Sequence, residues 1–218
     1  MNVTNLPFVH LGSRSDASSG ESLASVEDLC WEASRDQQGF LALTDVCSLG
    51  RAAAFAHAAA RSGLRPIFGA ELNVLPVGET QYRGTTFRVR IIVENERGWR
   101  TAVRLVTAAR RAQSASRPPF ISLAALIEDP RGLVFLVGGE RGELTRALLA
   151  GDFERAELLV STLLKKLTPE SLFVELSRPD GATTALRQVA GFFGLTSVVV
   201  PGVRVANRPI RWAAKPSA

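Results

Sequence analysis

Short apolar runs alternate with amphipathic stretches along most of the chain. The runs are rich in Val, Ile, Leu and Phe, and several are apolar throughout, which is typical of strands buried on both faces. They predict seven strands, over residues 7–11, 40–43, 66–74, 87–93, 133–137, 172–176 and 197–200. Because helix-like stretches separate most of these runs, the pattern favours a parallel α/β architecture, as either a small or irregular barrel or an open sheet.

Capping residues indicate where several helices begin and end. Ser25 and Asp28 form a plausible capping box ahead of one amphipathic stretch. Asp152 is placed to cap a helix whose apolar residues fall on one stripe. Gly63 is a candidate left-handed cap for a helix over residues 49–62. These signals support the reading of the intervening stretches as helices.

The length of 218 residues suits one domain, and the periodicity defines its extent. The alternation of apolar runs and helical stretches persists to about residue 206. The clearest loop, residues 112–119, is too short to be a domain boundary. Residues 207–218 lose the pattern and contain two prolines. We interpret residues 1–206 as one domain and residues 207–218 as a tail or linker remnant. With no apolar run as long as a membrane span and no signal peptide, the expected location is the cytoplasm, with no membrane partner.

Composition narrows the possible chemistry. The chain is 46% hydrophobic and 22% charged, which excludes a disordered protein. Two cysteines and two histidines are too few for a disulfide scaffold or a zinc site built on them. The net charge is +5, and all but three of the 26 basic residues are arginine. Arginine binds phosphate and carboxylate well, so the charge permits a nucleic-acid partner without requiring one.

Six segments, taken in order, carry a resemblance to a known family. They are residues 8–11 with Ser15 and Asp16 (FVHL, SD), 42–45 (ALTD), 65–72 (RPIFGAEL), 91–99 (IIVENERGW), 142–143 (GE) and 147–156 (ALLAGDFERA). The series resembles the PHP domain (polymerase and histidinol phosphatase) of bacterial DNA polymerase III α subunits and error-prone polymerases, and it covers residues 6 to about 206. The resemblance implies an α/β fold, a distorted seven-stranded βα barrel similar to a TIM barrel. This agrees with the number of predicted strands.

The resemblance also implies where metal ligands would lie. Active relatives hold two or three metal ions at the carboxyl ends of the strands and hydrolyse phosphoesters, which requires clustered imidazoles and carboxylates. At the nine ligand positions this chain has Gly12, Arg14, the shortened segment 18–20, Val46, Glu71, Arg88, Gly139 and, for the last two, the segment 201–204 (PGVR). Only Glu71 is retained. One carboxylate supplies too few ligands for tight metal binding, so we expect a degenerate site with no cofactor.

Three residues keep the family's ligand or neighbouring positions. Glu71 is either a residual acid in a phosphate-facing cleft or a carboxylate now paired with arginine. Asp45 lies beside a lost ligand and otherwise has a hydrogen-bonding role at a strand end. His10 matches a family histidine that often binds no metal, and a structural hydrogen bond is its alternative role.

Three arginines, Arg14, Arg88 and Arg204, occupy positions where relatives have histidine ligands. If the barrel persists, their guanidinium groups point towards the former metal pocket. They would then replace the metal charge by pairing with Glu71 and Asp45, or they would bind an anion such as phosphate. The alternative is that the loops have shifted and the arginines are solvated.

These observations favour a catalytically inactive PHP domain that acts as a structural or docking module in DNA replication or repair synthesis. The partners that the family suggests are a polymerase body or a proofreading exonuclease subunit, with DNA as a further possibility. One alternative is a free-standing protein that binds anions or nucleic acid at an arginine-lined barrel mouth. Another is a phosphoesterase with a site rebuilt from Glu71, Asp45, His10 and Cys47. The chain cannot polymerise DNA alone, because no polymerase carboxylates lie within it.

Overall fold

The computed structural model describes residues 8–18, 20–177 and 181–203. The strands in these residues are β1 (His10–Ser13), β2 (Phe40–Val46), β3 (Arg65–Val74), β4 (Phe87–Val93), β5 (Leu133–Gly138), β6 (Leu172–Leu176), β7 (Thr196–Val199) and β8 (Gly202–Val203). The helices are α1 (Val26–Arg35), α2 (Ala52–Arg61), α3 (Glu96–Ala112), α4 (Leu123–Leu126), α5 (Glu143–Leu149), α6 (Phe153–Leu164) and α7 (Thr183–Phe192). The α/β fold class and the seven predicted strands are confirmed.

The strands form one curled sheet in the order β7-β6-β5-β4-β3-β2-β1-β8. Adjacent strands are parallel except at β4, which runs antiparallel to both β3 and β5. The parallel pairing expected from the alternating pattern is therefore interrupted at one strand. The connection 75–86 between β3 and β4 contains no helix, and strands linked without a crossover pair antiparallel.

The two ends of the sheet are linked by a break in the last strand. β7 pairs with β6, while β8 pairs with β1 on the opposite edge. Only Val200 and Pro201 separate β7 from β8, so the two edges are at most about 11 Å apart along the chain there. Proline has no N–H to donate, which suits the point where pairing changes partner. The curled sheet thus has the form of a distorted barrel.

The first strand lies later in the chain than its apolar run predicts. The run ends at Leu11, whereas β1 continues to Ser13. Gly12 and Ser13 pair with Gly202 and Val203 of β8. Backbone pairing does not require an apolar side chain, so hydropathy alone misses this extension.

The outer face of the sheet packs against the helices in two separate hydrophobic clusters. The smaller cluster joins α1, α2 and β2, with Phe55 and Leu41 among its fully buried members. The larger cluster joins β3, β4, β5 and β6 with the later helices, around residues such as Phe135 and Leu163. Burial of these side chains supplies the main driving force for folding.

The predicted caps are present. Ser25 Oγ accepts a hydrogen bond from the Asp28 amide, and Asp152 accepts one from the Arg155 amide. Gly63 follows α2 with a φ of +69°. These contacts satisfy amide groups that would otherwise lack partners at helix ends, and the glycine allows a left-handed turn there.

Two parts of the sequence interpretation lie outside the described residues: the tail 207–218 and the position of Arg204. Within the described ranges, none of the helices has the length and apolar character needed to cross a membrane.

A pair of glycine substitutions tests the helix packing. A Cβ on Gly98 of α3 would lie 1.7 Å from the Gly132 carbonyl oxygen, whereas a Cβ on Gly191 of α7 would have no neighbour within 4 Å. We expect Gly98→Ala to lower the free energy of unfolding by about 1–3 kcal/mol, because helix and loop must move apart. Gly191→Ala should raise it by about 0.4–1 kcal/mol, because alanine restricts the unfolded chain. Urea denaturation measures both. Equal stability of the two variants would contradict the close approach of α3 to Gly132.

Candidate functional site

Charged side chains lie on the inner face of the curled sheet, towards the carboxyl ends of the parallel strands. On β4, Val89 and Ile91 belong to the outer hydrophobic cluster. Since side chains alternate along a strand, Arg88 and Arg90 point to the opposite, inner face. Arg90 is directly opposite Glu71 of β3 in the strand register.

Glu71 is surrounded by three guanidinium groups. Its Oε2 atom lies 2.5 Å from Arg14 Nη2 and 3.0 Å from Arg88 Nη1, and its Oε1 atom lies 3.4 Å from Arg90 Nη2. The Glu71 side chain is only 7% exposed. Two of the three arginines that the sequence analysis considers as partners of Glu71, Arg14 and Arg88, therefore contact it.

Two further glutamates extend this arrangement. Glu21 lies 3.2 Å from Arg14, 2.6 Å from Arg88 and 3.1 Å from Arg141. Glu175 of β6 accepts hydrogen bonds from Arg90 Nε at 3.1 Å and Arg90 Nη2 at 3.2 Å. Arg90 also donates to Thr44 Oγ1 of β2 at 2.5 Å. We call the set Arg14, Arg88, Arg90, Arg141, Glu21, Glu71 and Glu175 the charged cluster.

The electrostatics of the cluster favour the ionised forms of Glu71 and Glu21. Burial alone would raise the pKa of Glu71, but Arg90, Arg14 and Arg88 together outweigh it, so the pKa lies below its ordinary value. The pKa of Glu21 is lowered in the same way: Arg88 and its other arginine neighbours outweigh burial. Four arginines and three glutamates leave the cluster with one surplus positive charge.

Asp45 is held by hydroxyl and amide groups. Its carboxylate accepts hydrogen bonds from the Ser15 amide, Ser15 Oγ and Ser18 Oγ, each at 2.7 Å. These bonds fasten the segment after β1 to the end of β2. The arrangement matches the hydrogen-bonding role at a strand end that was considered for Asp45.

His10 is not brought to the charged cluster. It lies at the start of β1, paired with Leu41, whereas the cluster lies near the other end of the parallel strands. The Phe8 ring packs edge-on against the imidazole at 4.6 Å, and burial lowers the pKa of His10. His10 Nδ1 is buried without a hydrogen-bond partner among the described residues.

The charged cluster fills the space beside Gly139. Gly139 stands where the family resemblance implies a ligand, and its φ of +66° is one that glycine adopts readily. A Cβ on Gly139 would lie 2.9 Å from Glu175 Oε1. The absence of a side chain at this position therefore leaves room for the Glu175 carboxylate that pairs with Arg90. In the described part of the chain, no group of three or more His, Cys, Asp or Glu residues could hold a metal ion.

Sequence reasoning missed Arg90, Arg141, Glu21 and Glu175. A signal for Arg90 was present, because Arg88 and Arg90 are alternate residues in an otherwise apolar strand and must share one face. Glu175 is likewise the single charged residue of β6. Glu21 and Arg141 lie outside the strands, so no periodicity could place them near the cluster.

Comparison with known proteins assigns the family. Residues 10–179 match the PHP domain family, which is more than half of the chain. The chain belongs to the PHP domain family. Its relatives include the DNA polymerase III α subunit of Escherichia coli K12, 30% identical over 79% of this chain and 15% of the relative. The error-prone DNA polymerase of Mycolicibacterium paratuberculosis is 29% identical over 94% of this chain and 19% of the relative. This PHP domain thus spans less than a fifth of the length of these polymerases.

Solved structures support the fold of this PHP domain. A Bifidobacterium adolescentis protein assigned as a metal-dependent phosphoesterase superimposes with a TM-score of 0.65 at 12% identity, covering 98% of this chain and 91% of that one. A Chromobacterium violaceum amidohydrolase, solved with sulfate and no metal, gives a TM-score of 0.60 at 14% identity, covering 90% and 87%. At such low identity, these similarities establish the PHP-like barrel alone.

Removal of Arg90 tests the energetic importance of the cluster. Arg90→Met leaves Glu71 and Glu175 with less compensation at sites that are 7% and 8% exposed. We expect the free energy of unfolding to fall by about 3–5 kcal/mol, as when one partner of a buried ion pair is removed. Arg100→Met is the matched control, since Arg100 pairs with Glu96 on the surface and should contribute only about 0–1 kcal/mol. Similar losses in the two variants, measured by urea denaturation, would contradict a buried cluster.

The cluster should also make stability depend on acid pH. Because the pKa values of Glu71 and Glu21 are lowered by folding, the unfolded chain binds more protons as the pH falls. Their contribution is complete above the unfolded glutamate pKa of about 4.3 and is lost as the pH falls through the folded values. Glu143 affects the pH dependence in the opposite direction, because burial raises its pKa. Its contribution to the free energy of unfolding decreases as the pH rises above about 4.3.

Urea denaturation between neutral and acid pH measures this dependence. We expect the free energy of unfolding of the wild-type protein to fall steeply below about pH 4.3. Glu71→Gln should be less stable at neutral pH. At acid pH its free energy of unfolding should depend less steeply on pH, because a carboxylate with a lowered pKa has been removed. Identical slopes for the two proteins would show that Glu71 does not titrate with a lowered pKa.

Proposed function

We propose that this chain is a catalytically inactive PHP domain that acts as a structural or protein-docking module in DNA replication or repair synthesis. The observation that supports it is the pairing of Glu71 with Arg14, Arg88 and Arg90. Two of these arginines stand at positions where the family resemblance implies histidine ligands. Guanidinium groups thus supply the positive charge that metal ions would supply in an active relative.

The chemistry of the cluster opposes the binding of a divalent cation. A cation at Glu71 would lie within a few ångströms of three guanidinium groups, and the repulsion is strong in a buried site. Glu71 offers at most two oxygens, and both already contact arginine. Hard cations need several oxygen ligands, so the Glu71 carboxylate cannot form a metal site by itself.

The cluster is well suited to stabilise the barrel. Arg90 of β4 connects Thr44 of β2, Glu71 of β3 and Glu175 of β6 across the inner face. Arg14 and Arg88 join the segment around Glu21 to the same centre. Fixed ion pairs of this kind hold four parts of the sheet in one arrangement without a metal.

The docking role is inferred from the relatives. They are polymerases of which this chain matches less than a fifth, so polymerisation would require residues outside the matched part. The partners that fit are a polymerase body or a proofreading exonuclease subunit of the same organism. Size-exclusion chromatography of the purified PHP domain mixed with each protein would test this. Co-elution with neither protein would argue against the docking role.

Metal content and hydrolysis test the inactive state. Elemental analysis of purified protein should find no stoichiometric zinc, manganese or iron, and chelators should leave the melting temperature unchanged. With added manganese, the protein should hydrolyse neither bis(p-nitrophenyl) phosphate nor single-stranded DNA above background. Two bound metal ions per chain, or activity abolished by Glu71→Gln, would instead establish the phosphoesterase.

The anion-binding alternative has its own measurement. The affinity for labelled single-stranded DNA is measured by titration at two salt concentrations. Contacts with phosphate groups would make this affinity fall steeply as the salt concentration rises. Because Arg14 and Arg88 are directed at carboxylates, we expect weak binding that Arg88→Met leaves unchanged. Tight, salt-sensitive binding that Arg88→Met weakens would favour the nucleic-acid function.

A further inference from the structure

A wide apolar groove lies on the outside of the barrel, between α2 and α3. Its volume is about 620 Å³, and its lining includes Ala52, Ala53 and Ala56 of α2, Phe68 of β3 and Trp99 of α3. The groove lies over the amino-terminal half of β3, on the side of the barrel away from the ends that carry the charged cluster. It is therefore separate from the site proposed to replace the metals.

The topology explains why this groove exists. In a βα barrel each parallel strand is followed by a helix that covers the outside of the sheet. β3 instead continues into β4 through the connection 75–86, so no helix follows it. α2 and α3 therefore flank β3 and both contact it, and the groove lies between them.

The packing shows the same gap. The hydrophobic core is divided into two clusters, one under α1 and α2 and the other under the later helices. Phe68 lies at this division, with its ring 5.9 Å from Phe55 of α2 and 5.7 Å from Trp99 of α3. Phe68 and Trp99 remain only partly buried. An occupant of the groove would join the two clusters and cover these rings.

The rim indicates the charge of the occupant. Glu94, Asn95 and Glu96 line the end of the groove at the start of α3, and no basic residue lines it. Glu96 pairs with Arg100, whereas the exposed Glu94 makes no salt bridge within the described residues. The carboxylate of Glu94 at this end of the groove would therefore attract a basic side chain of a partner.

We infer that this groove binds an amphipathic helix of a partner protein, with apolar residues on one face and lysine or arginine beside them. α2 is 10 residues long, which corresponds to about 15 Å, or between two and three helical turns. A helix of that length presents apolar residues at i, i+3, i+4 and i+7 to a groove of this kind. The alanines of α2 allow its backbone to approach closely.

A model peptide tests the groove without knowledge of the natural partner. The probe is a fluorescein-labelled amphipathic peptide with leucine on one face and lysine elsewhere, and a glutamate version serves as the charge control. Binding to the full chain is measured by fluorescence anisotropy. We expect saturable binding of the lysine peptide, and the glutamate peptide should bind about tenfold more weakly.

Variants locate the binding. Ala53→Trp and Ala56→Trp place a ring in the groove and should weaken binding about tenfold. Ala108→Trp is the matched control, because Ala108 is exposed on α3 about two and a half turns beyond Trp99, on the other side of the helix. The double reversal Glu94→Lys with Glu96→Lys should reverse the preference, favouring the glutamate peptide. Circular dichroism checks that each variant is folded.

Three outcomes would overturn the inference. The first is no saturable binding of the lysine peptide. The second is equal affinity in the Ala53→Trp, Ala56→Trp and Ala108→Trp variants, which would place the peptide elsewhere. The third is dimerisation in sedimentation equilibrium that Ala53→Trp abolishes, which would make the groove an interface between two copies. These outcomes are independent of the metal and hydrolysis assays.

Discussion

Glu71 is a buried carboxylate on the inner face of the sheet, and its charge must be compensated where it lies. Arg14, Arg88 and Arg90 provide this compensation from β4 and from the segment after β1. Arg14 and Arg90 are buried and Arg88 is partly buried, so these charges depend on one another for compensation. Glu21 and Glu175 then balance the arginines, which extends the network from β2 to β6. The polar interior of the barrel is therefore a single electrostatic unit.

The antiparallel strand β4 connects this interior with the outer surface. Its pairing with β3 puts Arg90 opposite Glu71 and aims Arg88 at the same carboxylate. The connection that reverses the chain carries no helix, so α2 and α3 flank the outside of β3 with the groove between them. One topological feature thus produces both the charged cluster and the groove between α2 and α3. The first stabilises the domain, and the second offers a surface to a partner.

Membership of the PHP domain family establishes the barrel and leaves the chemistry to the individual residues. The structural relatives include proteins assigned to metal-dependent hydrolysis, whereas this chain has arginine at two of the implied ligand positions. Gly139 illustrates how such a change is accommodated, because the missing side chain leaves room for Glu175. In this chain the centre of the barrel contains ion pairs between arginine and glutamate.

The sequence by itself determined the seven main strands, the helix caps and the family, because these depend on local periodicity and on residues close together in the chain. It also placed Arg14 and Arg88 near Glu71, through positions shared with the family. It did not place Glu21, Arg141 or Glu175 in the cluster, nor extend β1 to its pairing with β8. The contact between Glu21 and Arg141 joins residues 120 positions apart, and the pairing of β1 with β8 joins residues farther apart still. Only the closure of the sheet brings such residues together, and no local pattern encodes that distance.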